Sequence, residues 1–114
     1  METKQSERRR YQRFNLHAPL RYEVIGESEF DNTVSDDISA GGLSFVSHKF
    51  IAPATELVME IFIFSRLLRA VGRVVWANRL PYADKNKFGI EFIQFDSLES
   101  DYLSNCLSFV GQGK

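Results

Sequence analysis

From Phe14 onward, short apolar runs alternate with turn signals, the pattern of an all-β domain. Residues 20–25 put Leu20, Tyr22 and Val24 on one face and Arg21 and Glu23 on the other, because successive side chains leave a strand on opposite sides. Gly26-Glu27-Ser28-Glu29 reads as a turn, residues 30–37 as a second and more polar strand, Ala40-Gly41-Gly42 as a break, and 43–47 as a third strand. Pro53 precedes a fourth strand over 56–64, with Leu57, Met59, Ile61 and Ile63 on one face and Val58, Phe62 and Phe64 on the other. Both faces are partly apolar, which places this strand at the centre of a sheet or in a closed barrel. A long fifth strand over 67–78, a polar loop over 81–86 and a sixth strand over 87–94 complete the β region.

The period then changes. Leu98, Tyr102, Cys106 and Val110 recur every fourth residue with Leu103 and Leu107 beside them, an apolar helical stripe. Asp96 is placed to cap this helix, Glu99 to complete a capping-box-like pair, and Gly111 to stop it. The expected fold is mainly β: a six-stranded antiparallel barrel with a C-terminal α-helix. A flexible basic arm over residues 1–13 precedes the barrel and helix of 14–114. No internal repeat or low-complexity segment interrupts it.

At 114 residues the chain has room for one domain with one modest core. No apolar run approaches the roughly 18 residues of a membrane span. The first ten residues have no apolar stretch of the secretory kind, so a cytoplasmic location is expected. Cys106 is the sole cysteine and falls on the helix stripe, where it reads as inert packing. With only His17 and His48 beside it, no spacing resembles a metal site.

Charge changes the picture. Residues 1–13 hold Lys4, Arg8, Arg9, Arg10 and Arg13 against Glu2 and Glu7, a balance of +3; the net charge of −1 leaves −4 on the rest. A basic arm on a weakly acidic body implies a local anion site and not a general nucleic-acid surface.

Two segments carry candidate chemistry. Arg8-Arg9-Arg10-Tyr11-Gln12-Arg13 is either a solvated basic arm or a clamp, since a guanidinium fork matches phosphate oxygens and the O6/N7 edge of guanine. Asp37-Ile38-Ser39-Ala40-Gly41-Gly42 is either an ordinary turn, with Gly41 and Gly42 at positive φ, or a site in which Asp37 accepts from the N1 and N2 donors of guanine. In the second case Ser39 adds a contact and the glycines admit the ligand to the backbone. Asp37 would also hold an arginine when no ligand is bound. Trp76, beside Asn78 and Arg79, is either core or a stacking platform for a base.

An R-x-x-x-R motif followed by D/N-x-S-x-x-G ahead of a small barrel resembles the PilZ domain family. Here the motifs are Arg9-Arg10-Tyr11-Gln12-Arg13 and Asp37-Ile38-Ser39-Ala40-Gly41-Gly42, and the likeness continues through Arg73-Val74-Val75-Trp76 and Gly89-Ile90-Glu91-Phe92. The resemblance implies a six-stranded split barrel that binds the bacterial second messenger cyclic di-GMP and performs no catalysis. Arg9, Arg13, Asp37, Ser39 and Gly42 would form the site, with Arg8, Arg10, Gly41 and Trp76 as secondary candidates. In the family the residue before the first arginine influences stoichiometry. Here it is Arg8, and an intercalated ligand pair is expected, since four phosphate charges call for more than two arginines. No cofactor is implied.

No nucleophile–base pair, metal cluster or phosphate-binding glycine loop supports an enzyme. Signalling would pass to an unidentified effector protein in trans. The alternatives are a nucleotide-independent protein-interaction adaptor of the same fold and a nonspecific RNA- or membrane-binding arm.

Overall fold

The computed structural model describes residues 11–81 and 83–112. Six strands are present: β1 (Pro19–Val24), β2 (Asp31–Ser39), β3 (Gly42–Ser47), β4 (Glu56–Ile63), β5 (Arg66–Arg79) and β6 (Asn86–Phe95). They are followed by the helix α1 (Ser97–Gln112). The strands close into an antiparallel barrel in the order β1-β2-β3-β6-β5-β4. Alternation in the sequence produces this directly. On β4, Leu57, Met59, Ile61 and Ile63 point inward and are fully buried, while Phe62 on the opposite face is exposed. Tyr22, Phe45 and Phe88 stack in series through the core, with ring centroids 4.8 and 5.7 Å apart. Such tilted pairs add to the stabilisation already given by burial.

Two strands make the corners. β2 pairs with β1 over Asp31–Val34 and with β3 over Ser35–Ser39, with an irregularity at Asp36. The fourteen-residue β5 pairs with β4 from Arg66 to Arg73 and with β6 from Ala70 to Arg79, with register shifts at Val71/Gly72 and Val74/Trp76. Bulges of this kind bend a strand so that it can serve two sheets. The barrel therefore has two outer faces, one over β2–β3–β6–β5 and one over β2–β1–β4–β5.

The helix is capped as expected: Asp96 Oδ1 accepts from the Leu98 backbone N–H at 3.2 Å. Glu99 does not close a capping box, because its carboxylate instead accepts from the Arg69 backbone N–H at 3.0 Å. Leu103, Cys106 and Leu107 face the barrel and are buried, whereas Leu98 stands exposed at the helix start. Gly111 does not stop the helix. It lies within it, where a Cβ would come 3.2 Å from the Phe14 ring, so its absent side chain makes room for that ring. Among the described residues no helix is long and apolar enough to cross a membrane.

Candidate functional site

The site begins where the chain enters the barrel. Phe14 and Ile38 exchange two backbone hydrogen bonds, Phe14 N–H to Ile38 O and Ile38 N–H to Phe14 O, each at 2.9 Å. This single bridge fixes the preceding residue over β2. Arg13 Nη2 donates to Asp37 Oδ1 at 2.6 Å and Arg13 Nε donates to the same oxygen at 3.2 Å. The two sequence motifs, 24 residues apart, thus meet through a charge-assisted pair that remains partly open to solvent.

The turn after Asp37 is built by Ser39. Its hydroxyl accepts from Gly41 N–H at 3.2 Å and donates to Gly42 O at 3.3 Å, and the residue is buried. Such serine turns satisfy backbone groups that a two-residue connection leaves unpaired. The positive φ expected at Gly41 and Gly42 is not found; Gly26, at φ 100°, is the glycine with that conformation among the described residues. The two glycines serve close approach instead. A Cβ on Gly42 would overlap the Ile90 carbonyl oxygen of β6, and one on Gly41 would lie 2.6 Å from the Tyr11 ring. Tyr11 therefore roofs the turn from the N-terminal side.

Cross-strand register extends the site. Asp37, Ser44, Gly89 and Trp76 are successive partners across β2, β3, β6 and β5. Ser39, Gly42, Glu91 and Arg73 form the neighbouring row. The Trp76 indole folds back across Gly89, where any side chain on β6 would collide with it, and it remains half-buried. Trp76 is thus neither a core residue nor detached from the motif face. It flanks a trough of small residues whose other flank is the Arg13–Asp37 pair. Arg73 is held by Glu56 at 3.3 Å and Asp36 pairs with Lys87.

The structure brings together Arg13, Asp37, Ser39, Gly41, Gly42 and Trp76. The expectations for Arg8, Arg9 and Arg10, and for the arm ahead of Tyr11, lie outside the described residues. Tyr11, Ser44 and Gly89 were not anticipated. Ser44 Oγ is buried without a hydrogen-bond partner among the described residues. Gly89 had a readable signal, since a glycine inside a strand marks close approach by another group.

A closed barrel with its N-terminal segment strapped to a glycine-lined outer face defines a small antiparallel β-barrel class, and comparison with known proteins gives its family. The sequence model of the PilZ domain matches residues 7–109, so the chain belongs to the PilZ domain family, a family of non-enzymatic cyclic di-GMP receptor domains. A search of curated protein sequences finds no significant match. Among solved structures, the fold is similar to the inhibitor of motility MotI/DgrA of Bacillus subtilis, with TM-score 0.77 and 18% identity. That match covers 98% of this chain and 53% of the other, so the chain spans about half the length of that protein. It is also similar to the PilZ domain of CeSA from a cellulose-synthesizing bacterium (TM-score 0.61, 16% identity, 89% and 98% covered). A third similar structure is the PilZ domain of YcgR from Escherichia coli, solved with c-di-GMP (TM-score 0.69, 12% identity, 93% and 94% covered).

Proposed function

We propose that this chain is a cytoplasmic, non-enzymatic receptor for cyclic di-GMP that signals to a partner protein in trans. The observation that carries the reading is the Arg13–Asp37 pair beside the Ser39–Gly42 turn. Its donors suit phosphate and the guanine O6/N7 edge; its acceptor suits the guanine N1/N2 edge. Bound nucleotide takes over Asp37, and the released Arg13 turns with Arg9 to the ligand's phosphates and guanine edge. Ser39 adds a contact at the turn, and Gly41 and Gly42 let the ligand lie against the backbone. Trp76 offers a stacking surface across the trough. Arg8, with Arg10 as a secondary contact, supplies the extra positive charge for an intercalated pair of ligands. Residues 1–13 act as the arm that the ligand joins to the barrel and helix of 14–114.

Titration calorimetry with cyclic di-GMP tests this. Saturable binding at micromolar concentration or below, with two ligands per chain, is expected. Arg13→Ala or Asp37→Ala weakens it about a hundredfold, the size of a lost charge-assisted hydrogen bond. Unchanged binding by Arg9→Ala/Arg13→Ala overturns the site. Failure of the wild type to bind leaves the adaptor reading, and binding of any RNA with steep salt dependence leaves the nonspecific arm.

A further inference from the structure

The barrel's other outer face carries an apolar ladder that the nucleotide site does not use. Pro19 pairs with Val34 across β1 and β2, and Phe62 pairs with Leu67 across β4 and β5. The β1–β4 register runs from Val24↔Leu57 to Leu20↔Ile61, so the next step sets Pro19 beside Phe62. Val34, Pro19, Phe62 and Leu67 thus form one row across four strands, with Val34, Phe62 and Leu67 50%, 46% and 47% exposed. Soluble domains seldom leave such a contiguous row uncovered without a use for it. A hollow of about 280 Å³ opens between this row and Arg21, Thr33 and Glu60, with room for a partner's side chain.

Two residues beyond Phe62 along the chain, the β4–β5 turn is strained. Phe64, in the two-residue β4–β5 turn, has φ 54° and an exposed ring. A bulky residue in the left-handed region costs about 1–2 kcal/mol, and glycine or asparagine would remove most of that cost. A phenylalanine held there at that cost points to use of the ring.

Charge selects the occupant. The next row is Arg21, Glu60 and Arg69, with Arg21 Nε 3.1 Å and Arg69 Nε 3.4 Å from the two Glu60 oxygens. The side chain of Glu60 is 16% exposed, while those of Arg21 and Arg69 are 48% and 65% exposed. The carboxylate is enclosed; the Arg69 guanidinium faces outward, and that of Arg21, half exposed, lies 4.1 Å over the Phe30 ring. A second copy of this chain would bring from the same face Glu60, already shared, Glu56, paired with Arg73, and Glu23, a single further carboxylate against two guanidiniums. A nucleic-acid backbone would meet mostly aliphatic surface with a carboxylate beneath it.

We propose that this face docks a partner polypeptide that presents apolar side chains to Val34, Pro19, Phe62 and Leu67 and acidic side chains to Arg21 and Arg69. Apolar anchors ringed by complementary charge are the usual make-up of a specific protein interface. The docking does not depend on nucleotide binding.

The test uses the full ¹⁵N-labelled chain and two synthetic amphipathic peptides with identical leucine and phenylalanine anchors, one with glutamates between them and the other with lysines. The glutamate peptide should shift the amide signals of Val34, Phe62 and Leu67 and bind about tenfold more tightly than its twin, the effect of two exposed ion pairs. Phe62→Ser/Leu67→Ser should abolish the shifts while keeping the wild-type melting temperature. Equal binding of the two peptides, or shifts confined to other strands, overturns the proposal. So does a concentration-dependent dimer by sedimentation that the double variant loses, which gives the face to a second copy. Stronger shifts of the same amides by oligouridylate overturn it in favour of RNA. Cyclic di-GMP titration of the double variant keeps the two readings apart. Binding there with no peptide effect on the wild type fails the docking face alone; peptide binding without nucleotide binding fails the receptor reading alone.

Discussion

Over β2, β3, β6 and β5 the outer surface is made of small residues and charges: Gly42, Ser44 and Gly89, bordered by Arg13, Asp37 and Trp76. Over β2, β1, β4 and β5 it is made of Val34, Pro19, Phe62 and Leu67, bordered by Arg21, Glu60 and Arg69. β2 and β5 contribute to both faces. The difference lies in what each position tolerates. On the first face side chains are absent because backbone or an indole already fills the space, so its composition is set by packing. On the second, side chains project into solvent with little to support them, so neither the core nor the barrel's closure requires them.

The sharpest break in this comparison comes from adding bulk. Gly42→Val drives methyl groups into the Ile90 carbonyl, which no rotamer change relieves, and is expected to cost about 3 kcal/mol or more in urea unfolding. Leu67→Ala on the other face should stay within about 0.5 kcal/mol of wild type. Equal stabilities would mean that the two faces do not differ in the way described.

Trp76→Ala comes next. It should weaken cyclic di-GMP binding by about 1–3 kcal/mol if the indole stacks on a base, and Trp76→Phe should restore part of that. Trp76 is the chain's sole tryptophan, so its fluorescence reports the first face directly: nucleotide should change the emission, and the glutamate peptide should leave it unchanged. Phe64→Gly has the opposite sign, raising stability by about 1 kcal/mol by relieving a left-handed phenylalanine, with peptide binding reduced.

The smallest effect serves as a control that neither face should alter. Tyr22 donates to or accepts from Ser47 Oγ at 2.8 Å, and burial raises its phenol above the usual 10.0. A folded-state value above the unfolded one gives stability that is complete below pH 10 and lost as pH rises through the folded value. Lys49, raised chiefly by its hydrogen bond with Asp31, acts in the same direction. Thermal midpoints should therefore fall above pH 10, with a shallower fall in Tyr22→Phe, which removes the phenol's contribution. Gly42→Ala and Leu67→Ala should keep the wild-type slope.

Much of this molecule is legible along the chain, and the illegible part has a common physical origin. Alternation on β4 places Leu57, Met59, Ile61 and Ile63 correctly, and the four-residue recurrence finds α1. The pairing of Arg13 with Asp37 follows from complementary chemistry. What cannot be read is what stands beside a residue on the next strand. Phe62 looks like evidence for a covered second face, yet it is exposed, because a closed barrel needs only its inner face buried. Gly42 looks like a turn residue, yet its role is set by Ile90, 48 positions away. The Glu99 carboxylate fits a cap by spacing, but the Arg69 backbone competes for it and wins. The ladder of Val34, Pro19, Phe62 and Leu67 exists only once three strand registers are known.

The Arg13–Asp37 pair also shapes how the proposed receptor should respond to ionic strength. A ligand that needs both residues must first displace each from the other, so its measured affinity is reduced by the fraction of time the pair stays closed. Added salt weakens arginine–phosphate attraction, but it also loosens the internal pair, and the two effects oppose one another. The slope of affinity against salt should therefore be shallower than the number of arginine–phosphate contacts implies. Asp37→Asn, which removes the competitor's charge, should make that slope steeper even as it lowers affinity.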